Sequence, residues 1–155
     1  MSAKYDLVGI GNAIVDVLAQ TEDSFLDKYK LKKGGMALID ASKAEELYNM
    51  LKNISEASGG SAANTCAVLS SLGGNSAFLG KTGKDHLGEI FKKDINDNGV
   101  YYKESGFSST PTARCFVFIT PDAERTMQTF LGACADMTPD DTDETLIERS
   151  AVTYI

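Results

Sequence analysis

An α/β fold is predicted for these 155 residues from three observations. Short apolar runs ending in or carrying glycine, 5–11 and 76–81, read as buried strands. Stretches with apolar residues at helical spacing behind a cap residue, 42–54 and 85–96, read as helices. Two β-rich segments, 112–120 and 125–130, flank a Pro-Asp-Ala-Glu turn and read as a hairpin. Strands that alternate with helices argue for an open α/β sheet.

Composition sets limits on function. The chain is long enough for one domain with a real core, and its apolar fraction of 43% and charged fraction of 24% suit a soluble globular protein. A net charge of −7 opposes a nucleic-acid binder that works by neutralising phosphates. No apolar run approaches the length of a membrane span, and the opening residues carry no signal-peptide pattern. Cys66, Cys115 and Cys134 are an odd, widely spaced set. They read as reduced thiols of a cytoplasmic protein, with neither a disulfide frame nor a zinc site.

The elements follow in order. The run 5–11 makes the first strand, and the strand-like stretch Ile14-Val15-Asp16-Val17-Leu18-Ala19 comes next. Gly9-Ile10-Gly11-Asn12 invites a dinucleotide-binding reading, but the third glycine position holds Ile14 and no helix follows. Residues 23–29 form a short amphipathic helix, and 36–39 a brief strand. Ser42 caps a helix in a capping box with Glu45, with Leu47, Met50, Leu51 and Ile54 on its buried face. Gly80-Lys81-Thr82 resembles the end of a phosphate-binding loop, but the leading glycine position is Asn75 and no apolar helix follows. Asp85 caps a helix through Asn96, with Leu87, Ile90, Phe91 and Ile95 inside and the lone histidine, His86, exposed on its first turn. Beyond the hairpin, 131–135 is small and flexible, 142–147 suggests a short helix, and 151–155 starts another buried strand.

Ser58-Gly59-Gly60-Ser61-Ala62-Ala63-Asn64-Thr65 organises the rest. Two glycines end a polar loop and small residues open a closely packed helix. Glycine lets backbone approach a ligand, and a first helical turn offers free N–H groups and partial positive charge. Asn12 at the end of the first strand, with Asp16 four residues later, supplies an amide and a carboxylate that can share the vicinal hydroxyls of a sugar. An ordinary loop-to-helix junction beside a turn amide and a solvated aspartate fits the same residues. Arg125, where the return strand of the hairpin begins, reads either as a cation aimed at a phosphate or as a turn-end arginine in water.

Taken together, Gly11-Asn12-x-x-x-Asp16, Gly59-Gly60-Ser61-x-x-Asn64, Gly80-x-x-Gly83-x-Asp85-x-x-Gly88, Pro111-Thr112-x-Arg114 and Asp122-x-x-Arg125-Thr126 resemble the ribokinase-like (PfkB) carbohydrate kinases, in order and over essentially the whole chain. Phe25-Leu26-Asp27-Lys28-Tyr29-x-Leu31-Lys32 is similar to the adenosine kinases within that family. The resemblance implies a three-layer α/β sandwich with a small β lid built from about 14–21, 36–39, 112–120 and 125–130. It implies phosphoryl transfer from ATP, with Mg²⁺, to a primary hydroxyl of a nucleoside or sugar, adenosine first and ribose or fructose as alternatives. Asn12 and Asp16 would bind sugar hydroxyls, Gly59, Gly60 and Asn64 would line the pocket, and Arg125 would approach the phosphate region. Pairing of two chains through lid strands is a further implication. The family's glycine-alanine-glycine-aspartate turn, which holds the catalytic base, is absent. Most ATP- and Mg²⁺-binding residues belong to that same C-terminal half. The resemblance thus implies the N-terminal half of a kinase, a sugar-binding side and lid without catalytic residues or metal ligands of its own, inactive alone.

Overall fold

The computed structural model describes residues 3–104 and 107–155. Two sheets carry the architecture. The first is four-stranded and all parallel, in the order β11-β1-β5-β7, from β1 (Tyr5–Ile10), β5 (Ser76–Leu79), β7 (Tyr101–Tyr102) and β11 (Ser150–Tyr154). The second is five-stranded and mixed, in the order β3-β10-β9-β2-β4, from β2 (Ile14–Gln20), β3 (Met36–Leu38), β4 (Ser55–Gly59), β9 (Ala113–Ile119) and β10 (Arg125–Phe130). Two short strands, β6 (Thr82–Gly83) and β8 (Phe107–Ser108), pair in parallel between them.

The parallel sheet has both faces covered, as such sheets require. Helices α3 (Ser61–Ser71) and α4 (His86–Asp97) lie on one face, where Phe78 of β5 meets Phe91 of α4 at a ring distance of 5.8 Å. On the other face, Tyr5, Val8, Ala77 and Leu79 pack beneath Leu146 of α5 (Glu144–Glu148) and Met137. α4 forms for the reasons its sequence gives. Asp85 accepts from Gly88 N–H at 2.9 Å as its cap, Leu87, Phe91 and Ile95 line the buried face, and Gly99 (φ 80°) turns the chain out.

Behind the five-stranded sheet sit α1 (Asp23–Lys28) and α2 (Ala41–Met50), which bury Leu26, Ala44 and Leu47. β9 is its central strand and all but its last residue are buried, including Arg114.

The structure corrects several expectations. The cap of α2 is Asp40, whose side chain accepts from Lys43 N–H at 2.8 Å, not Ser42; the helix ends at Met50, so Leu51 and Ile54 lie beyond it. The polar stretch before Gly60 is a strand, β4, paired antiparallel with β2. Residues 132–136 form a 3-10 turn in which Gly132, Ala133 and Cys134 are buried. β11 is an outer strand with exposed side chains, not a buried one.

Candidate functional site

The site grows from the corner between β1 and β2. β1 ends at Ile10, Gly11 N–H donates to the Leu79 carbonyl at 3.1 Å, and the chain crosses into the second sheet at Ile14. Buried groups hold this corner. The Cys134 thiol donates to the Ala13 carbonyl at 3.4 Å, and burial pushes that thiol up to about 12. Asn12, at the corner, is exposed.

Asp16 is the third residue of β2, paired with Ala57 of β4. Its carboxylate lies over the pair two positions along, Ile14 with Gly59: a Cβ placed on Gly59 would stand 2.5 Å from Asp16 Oδ2. Glycine at 59 is therefore what leaves room for the carboxylate. Asp16 is half-buried, and no hydrogen bond from the described residues acts on its carboxylate. Burial alone moves its pKa above the usual range. Its oxygens are not among the fully buried polar atoms that lack a partner, so the carboxylate stays open to hydroxyl or N–H donors from outside.

Gly60 caps α3 at φ 94°, a conformation that glycine alone adopts cheaply, and a Cβ there would stand 2.6 Å from the Asn12 carbonyl oxygen. One glycine thus brings the β4–α3 junction against the β1–β2 corner. Asn64 sits in the first turn of α3, its N–H on the Gly60 carbonyl at 2.9 Å, with the residue exposed. The structure brings Asn12, Asp16, Gly59, Gly60 and Asn64 to one place. Gly60→Ala is expected to destabilise the fold by about 1–3 kcal/mol, the typical cost of a strained backbone; urea unfolding checks this.

Arg125 is elsewhere. It pairs with Ile119, four positions along β9 from Cys115, the neighbour of Asp16, which places it roughly 13 Å along the strands at an exposed tip. His86 is exposed, with its Nε2 3.7 Å from a Glu56 carboxylate oxygen.

Strand register gives the site a second end. One row crosses the five-stranded sheet as Ala57, Asp16, Cys115, Thr129 and Leu38. At 4.7–4.9 Å per strand, Leu38 stands roughly 14 Å from Asp16. There Leu38, Ile39, Thr129, Phe130, Leu131 and Ala135 help line a cavity of about 320 Å³. A larger cavity of about 450 Å³, lined by Lys103, Glu104, Asp140, Asp141 and Asp143 among others, does not include Asp16.

Three structural groups escaped the reading of the sequence. Arg114 is buried, ion-paired with Glu45 and stacked over Tyr48 at 5.3 Å. Lys81 is bound by both oxygens of Asp141 at 2.8 and 2.9 Å, so it is not presented to a phosphate. Asp85, beyond capping α4, accepts from Thr112 N–H at 2.8 Å and from the Thr112 hydroxyl at 2.6 Å, which ties α4 to the root of β9. Arg114 and Asp85 both lie inside the quoted motifs, and that was their signal. Among the described residues no group of three His, Cys, Asp or Glu could hold a metal ion. With Lys81 engaged as well, the residues present do not fit the phosphates and Mg²⁺ of a nucleotide. No described helix is long and apolar enough to cross a membrane.

The comparisons with known proteins agree with one another. A family model described as pfkB family carbohydrate kinase matches residues 30–155. Adenosine kinase 1 of Arabidopsis thaliana is 33% identical over 119 residues, covering 73% of this chain and 34% of its own length. Fructokinase-1 of Zea mays is 39% identical over 100 residues, covering 63% and 31%. Among solved structures, the adenosine kinase from Sinorhizobium meliloti superposes with a TM-score of 0.89 at 48% identity, over 98% of this chain and 47% of that one. A probable sugar kinase protein from Rhizobium etli CFN 42 gives 0.88 at 42% identity, over 98% and 46%. The chain spans about a third of the length of these curated relatives and just under half of the solved ones.

Proposed function

The chain belongs to the pfkB family of carbohydrate kinases and has the ribokinase-like fold, and from that premise we propose that it is the acceptor-binding half of a nucleoside kinase. The observation that carries this reading is the Asp16 carboxylate, half-buried, without a hydrogen-bond donor among the described residues, over the gap left by Gly59. A carboxylate only accepts, so its two oxygens suit two neighbouring ribose hydroxyls. Asn12, Gly60 and Asn64 complete the wall around the ring. The five-stranded sheet is then the lid over the sugar, and its closure would bring Arg125 toward the transferred phosphate.

A nucleoside is favoured over a simple sugar by the far end of the Asp16 row. An apolar cavity there suits a flat base attached to a ribose held at Asp16, and a lone hexose has nothing to fill it. Fructose is the second reading, motivated by the 39% identity to the maize fructokinase.

In the family reaction ATP with Mg²⁺ would donate the phosphoryl group to a primary hydroxyl. Such transfer depends on positioning and charge stabilisation, and the described residues offer neither a metal cluster nor a free phosphate lysine at Lys81. This chain holds and orients the acceptor and shields it from water, and the proton-accepting base lies outside its residues. Three buried, unpaired thiols suit a reducing cytoplasm.

Calorimetric titration of the purified chain with adenosine and with fructose, together with an ATP-coupled assay, tests the reading. Adenosine binding without turnover is expected. Preference for fructose would overturn the nucleoside assignment, and robust turnover would overturn the division of labour.

A further inference from the structure

The cavity of about 320 Å³ beyond Asp16 is apolar along Leu38, Ile39, Phe130 and Leu131, and its hydrogen-bonding side chains are Thr110, Thr129 and Asp136. Both hydroxyls have their proton committed. Thr129 Oγ1 donates to Cys115 Sγ at 3.3 Å, and Thr110 Oγ1 donates to Asp136 Oδ2 at 2.6 Å. Ser108, whose oxygen accepts from Thr110 N–H at 2.9 Å, donates to the same Asp136 oxygen. Both bonds end on Oδ2, so Oδ1 is left for a donor from a ligand. The Ser108 and Thr110 hydroxyls also hold the Asp136 carboxyl below the usual carboxylate range, so it is ionised at neutral pH. A hydroxyl whose proton is committed and an ionised carboxylate offer lone pairs only. The side chains of this cavity therefore accept hydrogen bonds from a ligand and give none.

Backbone contacts hold that wall in place. Ala133 N–H donates to the Pro111 carbonyl at 2.8 Å, which seats the 3-10 turn 132–136 against the segment that carries Ser108 and Thr110. Lys81 Nζ donates to the Asp136 carbonyl at 3.3 Å. Two strand spacings, roughly 9.5 Å, separate Asp16 on β2 from Thr129 on β10. A purine base reaches farthest from its ribose through the six-membered ring, so the group at ring position 6 is the one that arrives at this wall.

We propose that Asp136 selects the base of the nucleoside: its carboxylate accepts a hydrogen bond from the 6-amino group of adenine and turns away purines with a 6-oxo group. A wall of acceptors has no side-chain donor for an O6 oxygen, which would face a carboxylate and stay unpaired. Hypoxanthine does carry an N1–H, but its O6 sits beside that donor and meets the same oxygens. Asp136 can select in this way only if the nucleoside reading holds and the ribose sits at Asp16.

Calorimetric titration of the full chain with adenosine, inosine and purine riboside, which lacks the 6-substituent, tests the selection. Adenosine is expected to bind about tenfold tighter than purine riboside, the effect of one hydrogen bond to an ionised group, and tighter still than inosine. Asp136→Asn keeps an acceptor for Ser108 and Thr110 and adds an amide donor for O6, so the preference for adenosine over inosine should fall at least about tenfold. A role in the fold alone would weaken both nucleosides together. A wild-type chain that binds all three alike, or a preference that Asp136→Asn does not move, overturns the selection and leaves the nucleoside reading standing. If no purine nucleoside binds, the nucleoside reading falls and the selection falls with it.

Discussion

Asp16→Asn is expected to weaken adenosine binding and, in the same molecule, to stabilise the ligand-free chain. The first effect follows from charge. Hydrogen bonds to an ionised group contribute about 1.5–3 kcal/mol each, and an amide keeps one neutral acceptor of two charged ones. A loss of about 2–4 kcal/mol, roughly thirtyfold to a thousandfold in Kd, should appear by calorimetry. The second effect follows from burial, which alone raises the pKa of Asp16. Between the unfolded value and the raised folded value the native chain binds more protons than the unfolded chain, so stability falls as pH rises through that window. Above it, the ionised carboxylate opposes folding, and the amide removes that opposition. Adenosine affinity should also fall on acidification at a higher pH than an ordinary aspartate would give. Unchanged affinity, or a lower unfolding midpoint in urea at pH 7, would show that Asp16 serves the fold and not a ligand.

How much of this site was legible in the sequence depends on how local its causes are. The Asp85 cap and the Asn98-Gly99 exit announce α4 within one stretch, and period-two alternation around a turn announces the β9–β10 hairpin. Gly59 and Gly60 stood out because paired glycines before a small-residue helix permit close approach, and each admits no side chain here, Gly59 because of Asp16 and Gly60 because of Asn12. β4 was not legible. Ser55-Glu56-Ala57-Ser58-Gly59 has no β-branched or aromatic residue, and it is a strand because β2 offers it a partner. Asp40 and Ser42 compete as caps two residues apart, and only the backbone geometry decides for Asp40. The burial of Arg114 was not legible either, because what covers it is distant in sequence: Glu45, 69 positions earlier, with Tyr48 and Phe130.

Asp85→Ala should be strongly damaging to the fold, because one carboxylate ties the root of β9 and, through Thr112, β6 to one helix. Oδ1 accepts from Gly88 N–H at 2.9 Å and from the Thr112 hydroxyl at 2.6 Å, while Oδ2 accepts from Thr112 N–H at 2.8 Å. The Thr112 hydroxyl in turn accepts from Gly83 N–H at 2.9 Å, so β6, α4 and the root of β9 meet at this point. Losing a helix cap costs about 0.5–2 kcal/mol, and leaving Thr112 without its acceptor costs about 1–3 kcal/mol more. A total of about 1.5–5 kcal/mol is a large part of the 5–15 kcal/mol typical of a domain. Burial pushes the Asp85 carboxyl up, but the Thr112 hydroxyl and amide, the Gly88 amide and the Arg114 charge outweigh it and hold the pKa below 3.8. Its contribution is therefore complete above the unfolded value near 3.8 and is lost as pH falls through the lower folded value. Urea unfolding at pH 7 should separate wild type from Asp85→Ala by the full amount, and the two curves should converge at the acid end of that window. A separation that stays constant with pH would mean that the carboxylate is not the tie. Because β9 carries β2 beside it, and Asp16 stands on β2, the untied sheet should also bind adenosine more weakly. Thr112→Val, which removes the hydroxyl and leaves Asp85 as the helix cap, should fall between the two in stability and in affinity alike.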